Sequence, residues 1–252
     1  MGKHMTARAT TPYQDSEGWA IQSTSQTIFS GLASSYEKSV EYGTLFQDRR
    51  WKRWVTSKTA GTPEGITLDL GCGTLLLEER FSGPGRRFVG LDLSKEMIAV
   101  GREKGLRNVA LVVNGDAETL PFPDASFDSV VSCYVAKYVR TSRFAGELGR
   151  VTRPGGMVAL YDFARPRGAF APILELYIQG GLRWVGLLLR YARRRSAYTY
   201  ENLPAIIERT SWDSEIVRAM EDIGFQTVAT ERLTGGTVFA YCGRKGDGPR
   251  NS

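Results

Sequence analysis

Histidine is almost missing from this chain of 252 residues: the one present, His4, stands in Met1-Gly2-Lys3-His4-Met5, which reads as an expression-vector scar. Imidazole base chemistry and histidine-ligated metal are therefore not expected. Cysteine is sparse too. Cys72, Cys133 and Cys242 are too widely spaced for a zinc pattern or a disulfide framework, so a reducing, cytoplasmic compartment is expected and a metal site is not. No apolar run reaches the roughly eighteen residues of a membrane span, and no signal peptide is visible. Internal repeats and low-complexity tracts are also lacking.

The remaining composition is that of a globular domain. Charged residues make up 24% and hydrophobic ones 42%, and the length suits one α/β domain with insertions. A net charge of +6 implies affinity for anionic surfaces, either nucleic acid or lipid headgroups.

Two stretches organise the chain. Leu68-Asp69-Leu70-Gly71-Cys72-Gly73-Thr74 reads as a short apolar strand running into a glycine turn. Phe88-Val89-Gly90-Leu91-Asp92 follows about twenty residues on as a second strand, with a carboxylate at its tip placed for a ribose diol. Together they point to a nucleoside-containing cofactor. The dinucleotide fingerprint also wants a glycine at position 76, where this chain has Leu76. A pyrophosphate on the helix start, and hence a nicotinamide dehydrogenase, is disfavoured; S-adenosylmethionine, which has no phosphate bridge, fits better.

The other elements follow by periodicity. Thr24–Tyr42 and Leu45–Val55 predict amphipathic helices, either a lid over the cofactor end or simple core packing. Ser94 is the expected N-cap of a helix running to Lys104 and stopping at Gly105. Val109–Val113 predicts a third strand ending in Asn114-Gly115-Asp116-Ala117, where the acid can take a purine's exocyclic amine and the Ala117 N–H a ring nitrogen. Ser129–Cys133 predicts a buried central strand, then a helix over Arg143–Val151, a sharp turn at Arg153-Pro154-Gly155-Gly156, and a strand Met157–Tyr161 closed by Asp162. This alternation predicts one doubly wound sheet.

These motifs, with the Leu120-Pro121-Phe122-Pro123-Asp124 stretch, resemble class I S-adenosylmethionine-dependent methyltransferases. The lead-in Ile28-Phe29 through Trp51-Lys52-Arg53-Trp54 and the tail Leu233-Thr234-Gly235-Gly236-Thr237 are similar to the ubiquinone/menaquinone biosynthesis C-methyltransferase family, over about residues 24–245. The resemblance implies an α/β fold: a Rossmann-like, doubly wound, mostly parallel seven-stranded sheet with an N-terminal helical lid and a helical insertion before the last strands. Residues 1–22 are then a scar and flexible lead, 23–245 the domain with its substrate-side insertion at about 166–212, and 246–252 a flexible tail.

Carried over by position, the resemblance implies cofactor contacts from Asp69, Gly71, Gly73, Thr74 (the methionine part), Asp92 (the ribose), Leu93, Met97, Asp116 and Ala117 (adenine), and Cys133 through its main chain. Leu75 stands where the family has a third glycine, which predicts a narrowed or shifted methionine pocket. The family's Phe-Gly-Leu-Arg-Asn-Val loop appears as Tyr134-Val135-Ala136-Lys137-Tyr138-Val139. Lys137 is expected to stabilise a substrate phenolate, while Tyr161, Asp162 or a neighbouring tyrosine relays the proton. The expected partner is a lipophilic quinol, and a homodimer is also anticipated. Residues 172–195, apolar and ending in Arg193-Arg194-Arg195, read as a peripheral membrane contact on the inner face of the cell membrane, as core-capping helices, or less readily as a nucleic-acid patch. The expected function is C-methylation of a demethylated prenylquinol. Methylation of another small molecule or lipid, such as a phospholipid amine or polyketide, and cofactor binding without transfer stand as alternatives.

Overall fold

A computed structural model describes residues 36–59, 65–81, 85–169, 171–176 and 197–247, together with Ala33, Ile178, Gly180 and Leu187. The lead 1–22 and nearly all of the basic apolar stretch 177–195 lie outside the described residues.

Two helices come first, α1 (Tyr36–Gly43) and α2 (Asp48–Lys58). The body then alternates β1 (Ile66–Leu70), α3 (Leu76–Phe81), β2 (Arg87–Asp92), α4 (Lys95–Glu103), β3 (Val109–Asn114), β4 (Phe127–Cys133), α5 (Thr141–Val151) and β5 (Thr152–Phe163). After α6 (Ala171–Leu176), α7 (Ala197–Arg209) and α8 (Trp212–Asp222), the antiparallel pair β6 (Phe225–Leu233) and β7 (Val238–Lys245) closes the sheet. The sheet has seven strands in the order β3-β2-β1-β4-β5-β7-β6, parallel from β3 to β5. The chain reverses its winding between β1 and β4, and ligands bind beyond the carboxyl ends of the strands at such a switch point.

Both faces of the central strands are covered, which is why they read as continuous apolar runs. Val130, Val158 and Leu160 join Phe144, Leu148, Trp212 and Ile216 on one face; Val131, Ala159 and Tyr161 meet Trp51 and Val55 on the other. Thus α2 is core rather than lid, its Trp51 indole donating to Thr234 Oγ1 at 3.0 Å. The polar residues in these strands satisfy one another: Thr67 Oγ1 and Ser129 Oγ lie 2.8 Å apart, and Ser132 Oγ donates to the Leu70 carbonyl at 3.0 Å.

Two expectations change in detail. Pro154-Gly155-Gly156 sits inside β5 as a bulged interruption: the register against β4 runs from Phe127↔Thr152 to Ser129↔Met157, with Gly155 at φ 73°. Leu75 takes a left-handed backbone at φ 59°, yet its side chain turns into the core with Cys72, Ile98 and Val112. A Cβ at Gly101 would lie 2.9 Å from Leu75 Cγ, so this glycine makes the space the leucine fills. Leu75 is absent from the cavity wall and does not narrow it.

Candidate functional site

Parallel register brings the ends of β1, β2, β3 and β4 to one edge: Leu70 pairs with Leu91 and Ser132, and Asp92 with Asn114. The loops leaving that edge enclose about 670 Å³ of empty space, part of it open to solvent. Its wall includes Gly71, Gly73, Asp92, Leu93, Met97, Asp116, Ala117 and Cys133. Eight of the ten sequence-predicted cofactor residues therefore surround one cavity.

The glycine turn is held by its neighbours. Gly71 N and Cys72 N donate to the Leu91 carbonyl at 2.8 and 3.1 Å. Gly71 sits at φ 76°, and a Cβ there would lie 2.3 Å from Val135 Cγ2, so only glycine fits. Asp92 Oδ2 accepts from Gly73 N and Oδ1 from Ser94 N, each at 2.8 Å. Burial pushes the Asp92 carboxyl up, while the Ser94, Gly73 and Leu93 N–H groups pull it back toward the ionised form. Ser94 in turn caps α4, accepting from Met97 N at 3.2 Å.

Asp69 and Thr74 do not reach the wall. Thr74 is fully buried, and its hydroxyl donates to Glu37 Oε1 of α1 at 2.9 Å. Glu37 also takes Lys104 Nζ at 2.6 Å; although burial opposes it, these partners hold its carboxyl below the usual range. Asp69 lies beneath the turn beside Glu78. Burial raises Asp69 to about 7, and burial followed by the Asp69 charge drives Glu78 well above its ordinary value. Asp69 Oδ1 and both Glu78 carboxyl oxygens have no hydrogen-bond partner.

The three sequence-predicted catalytic residues also stand off the wall. Lys137 Nζ meets Asp162 Oδ1 at 2.6 Å, with the two side chains 2% and 0% exposed. Asp162 Oδ2 accepts from Lys137 N at 3.1 Å, and Lys137 Nζ lies 4.3 Å from the Tyr138 ring centre. Burial pulls Lys137 down and Asp162 up, and their mutual pairing opposes both shifts. A cation neutralised in this way is not presented to the cavity. Tyr161 is buried behind Tyr134 and donates to Asp48 Oδ1 at 3.0 Å.

Sequence reasoning missed several residues. Tyr36 of α1 and Val135 and Val139 of the loop after β4 line the cavity with Tyr134 and Tyr138. Ile206 of α7, like Tyr36, packs against the wall residue Met97 at the cavity margin. Asp48 and Lys52 form a buried pair, Nζ to Oδ1 2.6 Å, side chains 0% and 5% exposed. The available signal was a pair of charges four residues apart inside the stripe carrying Trp51 and Val55.

The wall suits a nucleoside cofactor without phosphates. Asp92 and the Asp116–Ala117 pair offer the donors and acceptors that a ribose and a purine use. The first turn of α3 carries Glu79, whose charge opposes an anion at that helix start. Among the described residues no cluster of His, Cys, Asp and Glu could hold a metal ion.

Comparison with known proteins agrees. A family model described as a methyltransferase domain matches residues 68–160. Among solved structures, a SAM-dependent methyltransferase from Aquifex aeolicus superposes with a TM-score of 0.53 at 18% identity, covering 77% of this chain and 88% of that one. The 4+2 cyclase SpnF gives 0.58 at 19% identity, over 79% and 82%. Likenesses this distant show the fold alone. Fold, site and domain match together define an S-adenosylmethionine-dependent methyltransferase of the Rossmann-like class. The demethylmenaquinone methyltransferase of Mycobacterium marinum is 32% identical over 221 residues, covering 87% of this chain and 92% of the relative. That of Tropheryma whipplei (strain Twist) is 30% identical over 225 residues, covering 87% and 90%. The chain belongs to the demethylmenaquinone methyltransferase family.

Proposed function

We propose that this methyltransferase C-methylates a demethylated prenylquinol of the naphthoquinol type. The observation that carries the reading is the near-complete alignment with curated relatives of that name, at 32% identity over 87% of the chain. The cavity chemistry supports it: beside the polar cofactor wall stands an apolar and aromatic one of Tyr36, Tyr134, Val135, Tyr138 and Val139, suited to a flat hydrophobic ring.

Gly71, Gly73, Asp92, Leu93, Met97, Asp116, Ala117 and Cys133 hold the cofactor, with Thr74 and Asp69 supporting the turn from beneath. S-adenosylmethionine, when bound, supplies a methyl group already activated by its sulfonium. The protein's work is then alignment and exclusion of water. Ile206 at the margin and Tyr36 in the wall limit solvent entry. Lys137 and Asp162 brace the 134–139 loop from behind as a positioning pair rather than touching the reacting atoms.

A lipophilic acceptor calls for membrane contact. No helix among the described residues is long and apolar enough to cross a membrane, and the contact proposed is a peripheral one. Beyond the 172–195 stretch, the turn between α1 and α2 supports this. Tyr42, Leu45 and Phe46 are 66%, 65% and 58% exposed, next to the exposed Arg49, Arg50 and Arg53.

The test is a reaction of purified protein with methyl-labelled S-adenosylmethionine and a reduced short-chain demethylated naphthoquinol in mild detergent. Label in the organic phase as the C-methylated ring supports the reading. Label confined to another lipid or to water-soluble acceptors overturns it.

A further inference from the structure

Behind the cavity wall the structure holds a second polar constellation, centred on Asp48 of α2. Asp48 Oδ1 accepts three hydrogen bonds: from Lys52 Nζ at 2.6 Å, the Tyr134 hydroxyl at 2.8 Å and the Tyr161 hydroxyl at 3.0 Å. Its Oδ2 is buried and has no partner. Tyr134 is the member that lines the cavity, and it takes a left-handed backbone at φ 67°. Such strain in a tyrosine persists only where the surroundings fix it, and it concentrates at functional sites. Here the fixing is visible. Lys52 and Lys137 lie 5.3 and 5.5 Å from the Tyr134 ring centre, and Lys137 Nζ donates to the Tyr134 carbonyl at 3.1 Å. One tyrosine is thus locked between two buried ion pairs, with its hydroxyl committed to a carboxylate that has acceptor capacity left over.

We infer that Tyr134 and Asp48 form the proton relay of the reaction, Tyr134 taking the acceptor's hydroxyl proton while passing its own to Asp48. This rests on the quinol reading above. The phenol oxygen has two lone pairs, so Tyr134 accepts from a substrate hydroxyl while donating to Asp48. When the substrate O–H bond breaks, the Tyr134 O–H is remade and an Asp48 O–H forms. The acceptor is left as a phenolate whose electron pair makes the ring carbon nucleophilic. The new carbon–carbon bond forms as the methyl–sulfur bond breaks, its pair staying on sulfur. The ring carbon then sheds its hydrogen as a proton to water, and the product oxygen takes the stored proton back through Tyr134, resetting Asp48. Lys52 stabilises the charged carboxylate between turnovers. The other titratable groups facing Asp48 are Tyr36 of α1, Cys133 and Tyr134 of β4 and the loop after it, and Tyr161 of β5. Burial first raises both Tyr134 and Tyr161, with the Asp48 charge next for Tyr134 and Cys133, Tyr134 and Asp48 following for Tyr161, so each remains a donor at neutral pH.

Asp48→Asn tests this, with labelled methyl transfer to the reduced naphthoquinol followed from about pH 6 to about pH 9 and cofactor binding measured by calorimetry. The relay predicts kcat lower by roughly a hundredfold or more near neutral pH, cofactor affinity within about twofold of wild type, and a rate climbing about tenfold per pH unit as the acceptor ionises by itself. A purely structural role lowers the rate equally at every pH, and that result overturns the inference, as does a wild-type rate. Should Asp48→Asn fail to fold, Tyr134→Phe keeps the ring and its packing. The same loss and slope then support the relay, and wild-type kinetics overturn it. If the wild-type protein transfers no methyl to the quinol, both the relay and the quinol reading fall.

Discussion

Replacing Leu75 by glycine inserts the residue that the family resemblance implies at this position, and the structure predicts that doing so destabilises the protein. Three terms set the balance. Leu75 is 2% exposed and packs on Cys72, Ile98 and Val112, so truncation forfeits about 3–5 kcal/mol of burial and cavity energy. Its left-handed φ of 59° costs a non-glycine residue about 1–2 kcal/mol, which glycine recovers. Glycine also gives the unfolded chain more freedom, a loss of about 0.5–1 kcal/mol. The net is a destabilisation of about 2–4 kcal/mol. Leu75→Ala loses the same packing but keeps the strain, so it should be the less stable of the two. Urea unfolding of the three proteins checks this, with midpoints falling in the order wild type, glycine, alanine at constant m-value. A glycine variant as stable as wild type, or an alanine variant more stable than glycine, would refute the reasoning. Cofactor affinity should stay unchanged in both variants, because the side chain does not line the cavity.

Other consequences follow from the same geometry. Asp69, raised to about 7, and its partner Glu78 hold protons that the unfolded chain releases near pH 4. Stability should therefore fall as pH rises from about 5 to about 7, and Asp69→Asn should flatten that slope in thermal melts. Asp92→Ala removes the acceptor shared by Gly73 N and Ser94 N, so calorimetry should show cofactor binding weaker by roughly ten- to a hundredfold. Lys137→Met leaves Asp162 buried without its cation and should cost about 3–5 kcal/mol in denaturant, a much larger effect than on cofactor affinity. Changing Tyr42, Leu45 and Phe46 together to serine should lower co-sedimentation with anionic lipid vesicles, leaving the melting temperature close to wild type.

The cofactor half of the site was legible because its determinants are local. β1 and β2 are short apolar runs closed by a glycine turn and a carboxylate, and parallel register alone aligns Leu70, Asp92, Asn114 and Cys133 at one edge. The acceptor half was not, because its chemistry is set by pairs distant in sequence. Lys137 reads as a free cation until Asp162, 25 residues on, is seen to neutralise it. Asp48 and Lys52 carry no assignment in the sequence, and only the packing of α2 against β4 and β5 brings Tyr134 and Tyr161 to them. Leu75 shows the same limit on a smaller scale: the sequence marks a lost glycine, while the direction of the side chain depends on Gly101 of α4.

The most direct test of the central claim is a single reaction in which S-adenosylhomocysteine and methylated naphthoquinol are quantified together by mass spectrometry. Ring C-methylation requires that the two products rise in equal amounts and that the new methyl sits on a ring carbon. Quinol left unmethylated beside intact, bound S-adenosylmethionine, or methyl found on an oxygen, would contradict it.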